Sequence, residues 1–305
     1  MIFDFSLPKS SRREFAKSMT MAAAAAAFPS RLLASETTKP RYKFCAFIKF
    51  LQELDYEQLA DAIADAGYDG VEVTAREKEG YIHPEAAADE LPKMQESLAK
   101  RDLEIMILTS DILTADQPTA RPMLQAAAKL KIPRYRLGFH RYDLKRPIVE
   151  QVAELQPVFR DLAAMNREIG IAGIYQNHSG ADFVGATIWD LHKLLNDHPT
   201  SELGCVFDIR HAAVEAGEAW PVYFNLMQSH LSAVSVKDYV WDGHKSKHTP
   251  LGEGRLDPQF FKLLKSSGFS GTISVHVEYL PKGGIDENLQ ALKKDLQTLK
   301  KMIST

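Results

Sequence analysis

The sequence predicts a closed (β/α)8 barrel, an α/β fold, as a single domain over residues 40–305. Three observations carry that prediction. A strand-like apolar run followed by a helical pattern recurs eight times in about 260 residues, and strict alternation means a parallel sheet. No G-x-G-x-x-G follows the first strand, as a dinucleotide-binding doubly wound sheet would require. No stretch rich in Pro, Gly or Ser divides the chain into two halves.

The elements follow in order. "YKFCAFIKF" (42–50) reads as the first strand. "DYEQLADAIADAG" reads as a helix that Asp55 caps, with Gln58 completing a capping box and Gly67 ending it. "GVEVTA" (70–75) is the second strand, and 84–101 is helical with a break at Pro92. "LEIMILTSD" (103–111) is the third strand, followed by a helix near 120–131. "YRLGFH" (135–140) is the fourth, followed by a long helix near 147–169. "IAGIYQNH" (171–178) and "LGCVFDIRHA" (203–212) are the fifth and sixth, with helices at 187–197 and 219–230. "LSAVSVKDYVW" (231–241) is the seventh, and its helix spans 256–268 with Asp257 at the cap and Pro258 in the first turn. "TISVHVEYL" (272–280) is the eighth. The last helix carries Leu289, Leu292, Leu296, Leu299 and Ile303 at three-four spacing.

Residues 1–35 read differently. "SRREFAK" precedes an alanine run and "PSRLLAS", which together look like an export signal of the twin-arginine type around Arg12 and Arg13. The expectation is a periplasmic or otherwise exported protein, free of the membrane once the signal is removed, because the apolar run is too short to span. The chain carries a net charge of −3, and residues 1–35 hold five Lys/Arg and two Asp/Glu, so the remainder carries −6. No basic stripe is present, which argues against a nucleic-acid partner. Cys45 and Cys205 lie far apart in apolar runs and read as two buried thiols. Self-association into a homo-oligomer is left open.

In such a barrel the chemistry sits at the C-terminal ends of the strands, and period two decides which side chains face the lumen. The eighth strand then offers Ser274, His276 and Glu278, and the seventh Ser235 and Lys237. The sixth offers Val206 and Asp208, and the fifth Ile174, Gln176 and His178. The fourth offers Arg136 and His140, the third Thr109 and Asp111, the second Glu72 and Thr74, and the first Lys49. Buried charge without partners is costly, so this density of polar ends points to a site. Each residue also has a plainer reading. Glu72 suits a buried structural carboxylate paired with Lys49 or Arg136, and His211 a surface or loop position. The loop 242–255 adds His244, Lys245, Lys247, His248 and Arg255, facing a ligand or solvent. Tyr175, Tyr239 and Trp241 suit stacking on a ligand ring or packing alike.

The stretches "GYDGVEVTA", "YQNHSG", "FDIRHA", "VSVKDY", "PLGEGRLD" and "GFSGTISVHVEY" together resemble the xylose-isomerase-like barrel family of sugar phosphate isomerases and epimerases. That resemblance implies a carbohydrate substrate and proton abstraction beside a carbonyl, assisted by a divalent metal (Mn, Zn, Mg or Fe). It implies metal ligands Glu, Asp, His and Glu on strands five to eight. By position these fall on Gln176, Asp208, Ser235 and His276, so one of four is kept in kind. Two outcomes follow: a metal held by Asp208, His276, Glu278 and Gln176, or a metal lost. Glu278, His276, Lys237, Asp208 and His140 are the expected catalytic residues. His178, Gln176, Arg136, Asp111 and Arg255 are the expected substrate contacts. Because Gln176 cannot shuttle a proton, a keto-sugar (3-keto-glycoside) lyase or hydratase is an alternative to an isomerase or epimerase. A non-catalytic sugar-binding barrel is a further one.

Overall fold

The computed structural model describes residues 42–304; the expected export signal at 1–35 lies outside them. Eight parallel strands close into a barrel in the order β1-β2-β3-β4-β5-β6-β7-β10 and back to β1. They are β1 (Lys43–Phe47), β2 (Gly70–Ala75), β3 (Glu104–Ser110), β4 (Arg134–Arg136), β5 (Ala172–Gln176), β6 (Leu203–Asp208), β7 (Leu231–Val236) and β10 (Thr272–Val275). Helices α1 (Tyr56–Ala66), α2 (Ala87–Ala99), α3 (Ala120–Lys129), α4 (Ile148–Ile169) and α5 (Trp189–Leu195) follow the first five strands. Helices α6 (Ile209–Ala216) and α7 (Trp220–Met227) follow β6, α8 (Gln259–Ser266) follows a hairpin of β8 (Asp238–Asp242) and β9 (Lys245–Thr249), and α9 (Ile285–Ser304) follows β10.

Local chemistry accounts for the boundaries. Asp55 accepts the backbone N–H of Gln58 while the Gln58 side chain accepts that of Asp55, a reciprocal cap of the expected kind. Gly67 ends α1 in the left-handed region at φ 85°, which only glycine enters freely. Pro92 does not break α2, which runs through it. Cys45 and Cys205 are both buried and free.

Three departures matter for the site. β4 stops at Arg136 rather than 140, so period two does not extend to His140. The expected long seventh strand splits into β7 and an antiparallel hairpin, β8 (Asp238–Asp242) with β9 (Lys245–Thr249). The hairpin was hidden as a polar loop, because "KSKHT" has no apolar face to signal a strand. The eighth strand ends at Val275, although the His276 N–H still bonds the Val236 carbonyl.

Two apolar layers hold the barrel. The outer one packs Tyr135, Tyr175, Phe207 and Val234 against the helices. An inner floor of Cys45, Met106, Ile107, Ile174, Val206 and Ala233 fills the lumen. Two residues beyond Ile174, Val206 and Ala233, on the same faces, stand Gln176, Asp208 and Ser235.

Candidate active site

The polar lumen has two tiers. The lower one is centred on Glu72, which is fully buried. Its Oε1 accepts from Thr109 Oγ1 at 2.6 Å and faces Arg136 Nη1 at 2.9 Å. Its Oε2 accepts from Ser274 Oγ at 2.6 Å and lies 3.0 Å from His276 Nε2. Burial alone would push this carboxyl up, but Arg136 and His276 outweigh it and hold it well below the usual range. The His276 ring stacks on Phe47 with centroids 4.4 Å apart. Glu72 is therefore the structural carboxylate of the plainer reading, with Arg136 as its partner. Lys49 pairs instead with Glu79 at 2.7 Å.

The upper tier is centred on Lys237, which directly follows β7 and is 5% exposed. Its Nζ donates to Glu278 Oε2 at 2.7 Å and lies 3.2 Å from Asp208 Oδ2. Asp208 ends β6 and caps α6, its Oδ1 accepting the His211 N–H at 3.0 Å. Gln176 Nε2 donates to Asp208 Oδ2 at 2.8 Å. Asn177 brackets the Asp208 backbone, accepting its N–H at 2.7 Å and donating to its carbonyl at 3.1 Å.

Three histidines ring this centre. His178 packs at a tilt of 31° against His211, with centroids 4.0 Å apart. His211 Nε2 is 3.6 Å from Asp208 Oδ2, and His248 Nε2 is 4.0 Å from Glu278 Oε2. Burial, then the positive charge of Lys237, pushes His178 down to about 4 and His211 further below its usual value. Burial also brings His248 down to about 4; Glu278 opposes the shift, while Lys237 and Arg210 add to it. All three imidazoles are neutral at neutral pH. Glu278 is raised by burial but lowered more by Lys237 and His276, so it stays charged. Arg210 ties the tier to the hairpin, donating to Ser179 Oγ at 2.9 Å and to Ser246 Oγ at 2.8 Å. Among the described residues, the buried atoms Arg136 Nε, Arg210 Nε, His211 Nε2 and Asp111 Oδ1 have no hydrogen-bond partner, which leaves donors and an acceptor available to a polar ligand.

Most expected site residues meet in these tiers: Asp208, Lys237, Glu278, Gln176 and His178 above, His276 and Arg136 below. Two do not. The His140 ring packs on Phe159 of α4 and on Tyr175, at 5.9 and 6.4 Å between centroids, and so lies in the outer layer. The cause is the early end of β4. Arg255 is exposed and lines an outer groove of about 380 Å³ with Trp220, Tyr239 and Trp241. Asp111 joins two loops, its Oδ2 accepting the Glu77 N–H at 3.2 Å. Arg210, Asn177 and Ser179 were missed, and His211 and His248 were undervalued. His211 follows the capping Asp208 by three residues, which was the available signal.

The G-E-G stretch has a structural role. The buried Asp238 carboxylate accepts the N–H groups of Tyr239, Gly252, Gly254 and Leu256 at 2.8–3.1 Å. A Cβ on Gly254 would stand 2.3 Å from Asp238 Oδ1. The loop is thus fastened beside Lys237.

The model of the family "Xylose isomerase-like TIM barrel" matches residues 60–302. The chain belongs to that family. No curated protein matches it. Solved structures share the fold at low identity. The IolI protein with a bound zinc atom is 16% identical, with TM-score 0.70, covering 86% of this chain and 98% of that one. The 3-keto-D-glucoside 4-epimerase of E. coli is 13% identical, with TM-score 0.66, covering 86% and 100%. The probable 3-DHS dehydratase of Bacillus anthracis is 14% identical, with TM-score 0.65, covering 85% and 98%.

Some members of the family hold a divalent metal, but the donors of this chain do not fit one as expected. His276 Nε2 faces Glu72, Gln176 turns its amide N–H toward Asp208, and an ammonium lies between Asp208 and Glu278. Among the described residues, no group of three or more His, Cys, Asp or Glu is disposed to hold a metal ion. The four expected ligands, Asp208, His276, Glu278 and Gln176, do not converge on one point.

Proposed function

We propose that the protein is a sugar isomerase- or epimerase-like enzyme that removes a proton from the carbon next to a carbohydrate carbonyl. The observation that carries this reading is Lys237, held between Asp208 and Glu278 at the mouth of the barrel. An ammonium has three N–H donors. Two face the carboxylates, and the third serves the substrate carbonyl oxygen, where negative charge develops in the enediolate. Glu278 takes the α-proton, which becomes its carboxyl O–H while the C–H electron pair forms the enediolate C=C bond. Its basicity rises as Lys237 turns toward the substrate oxygen. Asp208, fixed by Gln176 and by the His211 N–H, holds Lys237 in place.

From the enediolate, return of the proton to the other face gives the epimer. Loss of a β-hydroxyl or alkoxide, with the electron pair leaving on that oxygen, gives an unsaturated keto sugar. One observation favours this second outcome, a keto-glycoside lyase or hydratase. Gln176 is a neutral amide committed to Asp208, so Glu278 has no second carboxylate from β5 to return a proton on the opposite face.

The test is proton exchange in D2O, followed by NMR, with ketohexoses and 3-keto-glycosides. Deuterium entering the α-position is the expected result, and the product distinguishes epimer from alkene. Sugar binding without exchange would replace this reading with the non-catalytic one. We also propose export through residues 1–35; Arg12→Lys with Arg13→Lys should retain the protein in the cytoplasm on fractionation.

A further inference from the structure

We propose that Arg210 and Ser179 lock the two packed imidazoles of the upper tier in opposite neutral tautomers, so that His211 presents an N–H at Nε2 and His178 a bare Nε2 acceptor. The tautomers follow from the chemistry of the partners; only the use of the His211 N–H toward a substrate oxygen rests on the proposed function.

A neutral imidazole carries one proton, and the partners of its two nitrogens decide where it sits. Two groups meet His211 Nδ1: Arg210 Nη1 at 3.0 Å and Ser179 Oγ at 2.7 Å. A guanidinium has no acceptor and keeps its proton. An N–H on Nδ1 would set two donors against each other at hydrogen-bond distance. Nδ1 therefore accepts, and the proton sits on Nε2. The far end of the ring agrees independently. Nε2 lies 3.6 Å from Asp208 Oδ2, where an N–H is attracted to the carboxylate and a bare lone pair is repelled. The Ser179 hydroxyl does not decide the matter, because it donates or accepts as its neighbours require.

His178 is under the reverse constraint. Its Nδ1 lies 2.8 Å from the Ser179 carbonyl oxygen, and a carbonyl only accepts. The proton is held on Nδ1, and Nε2 keeps its lone pair.

The His211 N–H is unspent. The residue is 2% exposed, and Nε2 has no hydrogen-bond partner among the described residues. A buried donor left unpaired is costly, so it favours a ligand oxygen. Lys237 Nζ lies against the same Asp208 oxygen, at 3.2 Å. The two donors thus flank one carboxylate, and His211 adds to Lys237 a donor that carries no charge of its own. Arg210 acts through His211 and is a positioning residue.

The test is long-range 1H–15N correlation NMR of the full chain labelled with 15N-histidine, in which ring shifts and couplings separate the two neutral tautomers. His178→Gln and His211→Gln assign the two rings by loss of their signals. The wild type should show His211 as the Nε2–H form and His178 as the Nδ1–H form. Arg210→Met should raise the Nδ1–H population of His211 by about tenfold or more, the factor carried by one charge-assisted hydrogen bond. Arg210→Lys should restore the wild-type spectrum, and Ser179→Ala should leave the His211 tautomer unchanged. An Nδ1–H His211 or an Nε2–H His178 in the wild type would overturn the proposal. So would Arg210→Met with wild-type His211 shifts and wild-type far-ultraviolet circular dichroism. If the Arg210 variants do not fold, the wild-type and Ser179→Ala spectra decide. The readout needs no substrate, so it can fail while proton exchange persists, or hold while exchange is absent.

Discussion

The two tiers of the lumen contain the same kind of chemistry and arrive at opposite states. In the lower one, Glu72 faces Arg136, His276, Ser274 and Thr109, and is fully buried. In the upper one, Lys237 is divided between two carboxylates, and the Glu278 side chain remains 24% exposed. A buried carboxylate whose oxygens are all engaged is a strut. A carboxylate held by one shared ammonium at an open mouth can exchange that partner for a substrate. The difference lies in the number of partners and the access of solvent, because both carboxylates are kept charged by a neighbouring cation.

The largest expected effect tests the upper tier. Glu278→Gln keeps shape and one acceptor but cannot take a proton. Its proton-exchange rate should fall on the order of 10³-fold or more, within the range for a lost general base, with little loss of stability. A small change in rate would move the base elsewhere, with His248 the next group to test.

The lower tier should respond in the other currency. Arg136→Met strands a fully buried carboxylate and should cost about 3–5 kcal/mol of unfolding free energy, as when one member of a buried pair is removed. Glu72→Gln together with Arg136→Met should restore most of that loss, and urea denaturation of the wild type, both single variants and the double variant gives the coupling. If Arg136→Met folds normally but loses sugar affinity, the lower tier belongs to the site rather than beneath it.

The barrel was legible because its signals are local: eight alternating units, a capping box at Asp55 and Gln58, and apolar stripes of period 2 and 3.6. The shared face of Ser274, His276 and Glu278 was legible for the same reason. What each of them does there was not. Ser274 and His276 are captured by Glu72, about two hundred residues earlier in the chain, and Glu278 by Lys237. Pairing at that range leaves no trace in spacing. His140 was misplaced because strand length sets facing, and β4 is only three residues long. His248 was undervalued because it reaches Glu278 through a hairpin that has no apolar alternation to announce it.

If cations decide the state of buried carboxylates here, one without a buried cation should behave in reverse. Asp295 on α9 is that case, being 2% exposed. It accepts the Leu251 N–H at 3.2 Å and bonds the Tyr279 hydroxyl. Tyr68 and Glu253 lie near it, and the cation that acts on it, the exposed Lys294, is itself paired with Glu253 at 2.6 Å. Burial raises Asp295 from the ordinary 3.8 to about 6, with its hydrogen bonds and Lys294 only partly opposing. The folded state therefore binds this proton more tightly than the unfolded chain. Its contribution is fully present below pH 4 and is lost as pH rises through the window from 3.8 to about 6. At about 1.4 kcal/mol per unit, the cost above that window is at most ~3 kcal/mol. Asp295→Asn keeps an acceptor for Leu251 and removes the titration. It should match the wild type near pH 4 and exceed it by up to ~3 kcal/mol at pH 8 in urea denaturation. A difference that does not change between those two pH values would mean that Asp295 stays ionised in the fold without a cation, and the contrast between the tiers would then need a cause other than their cations.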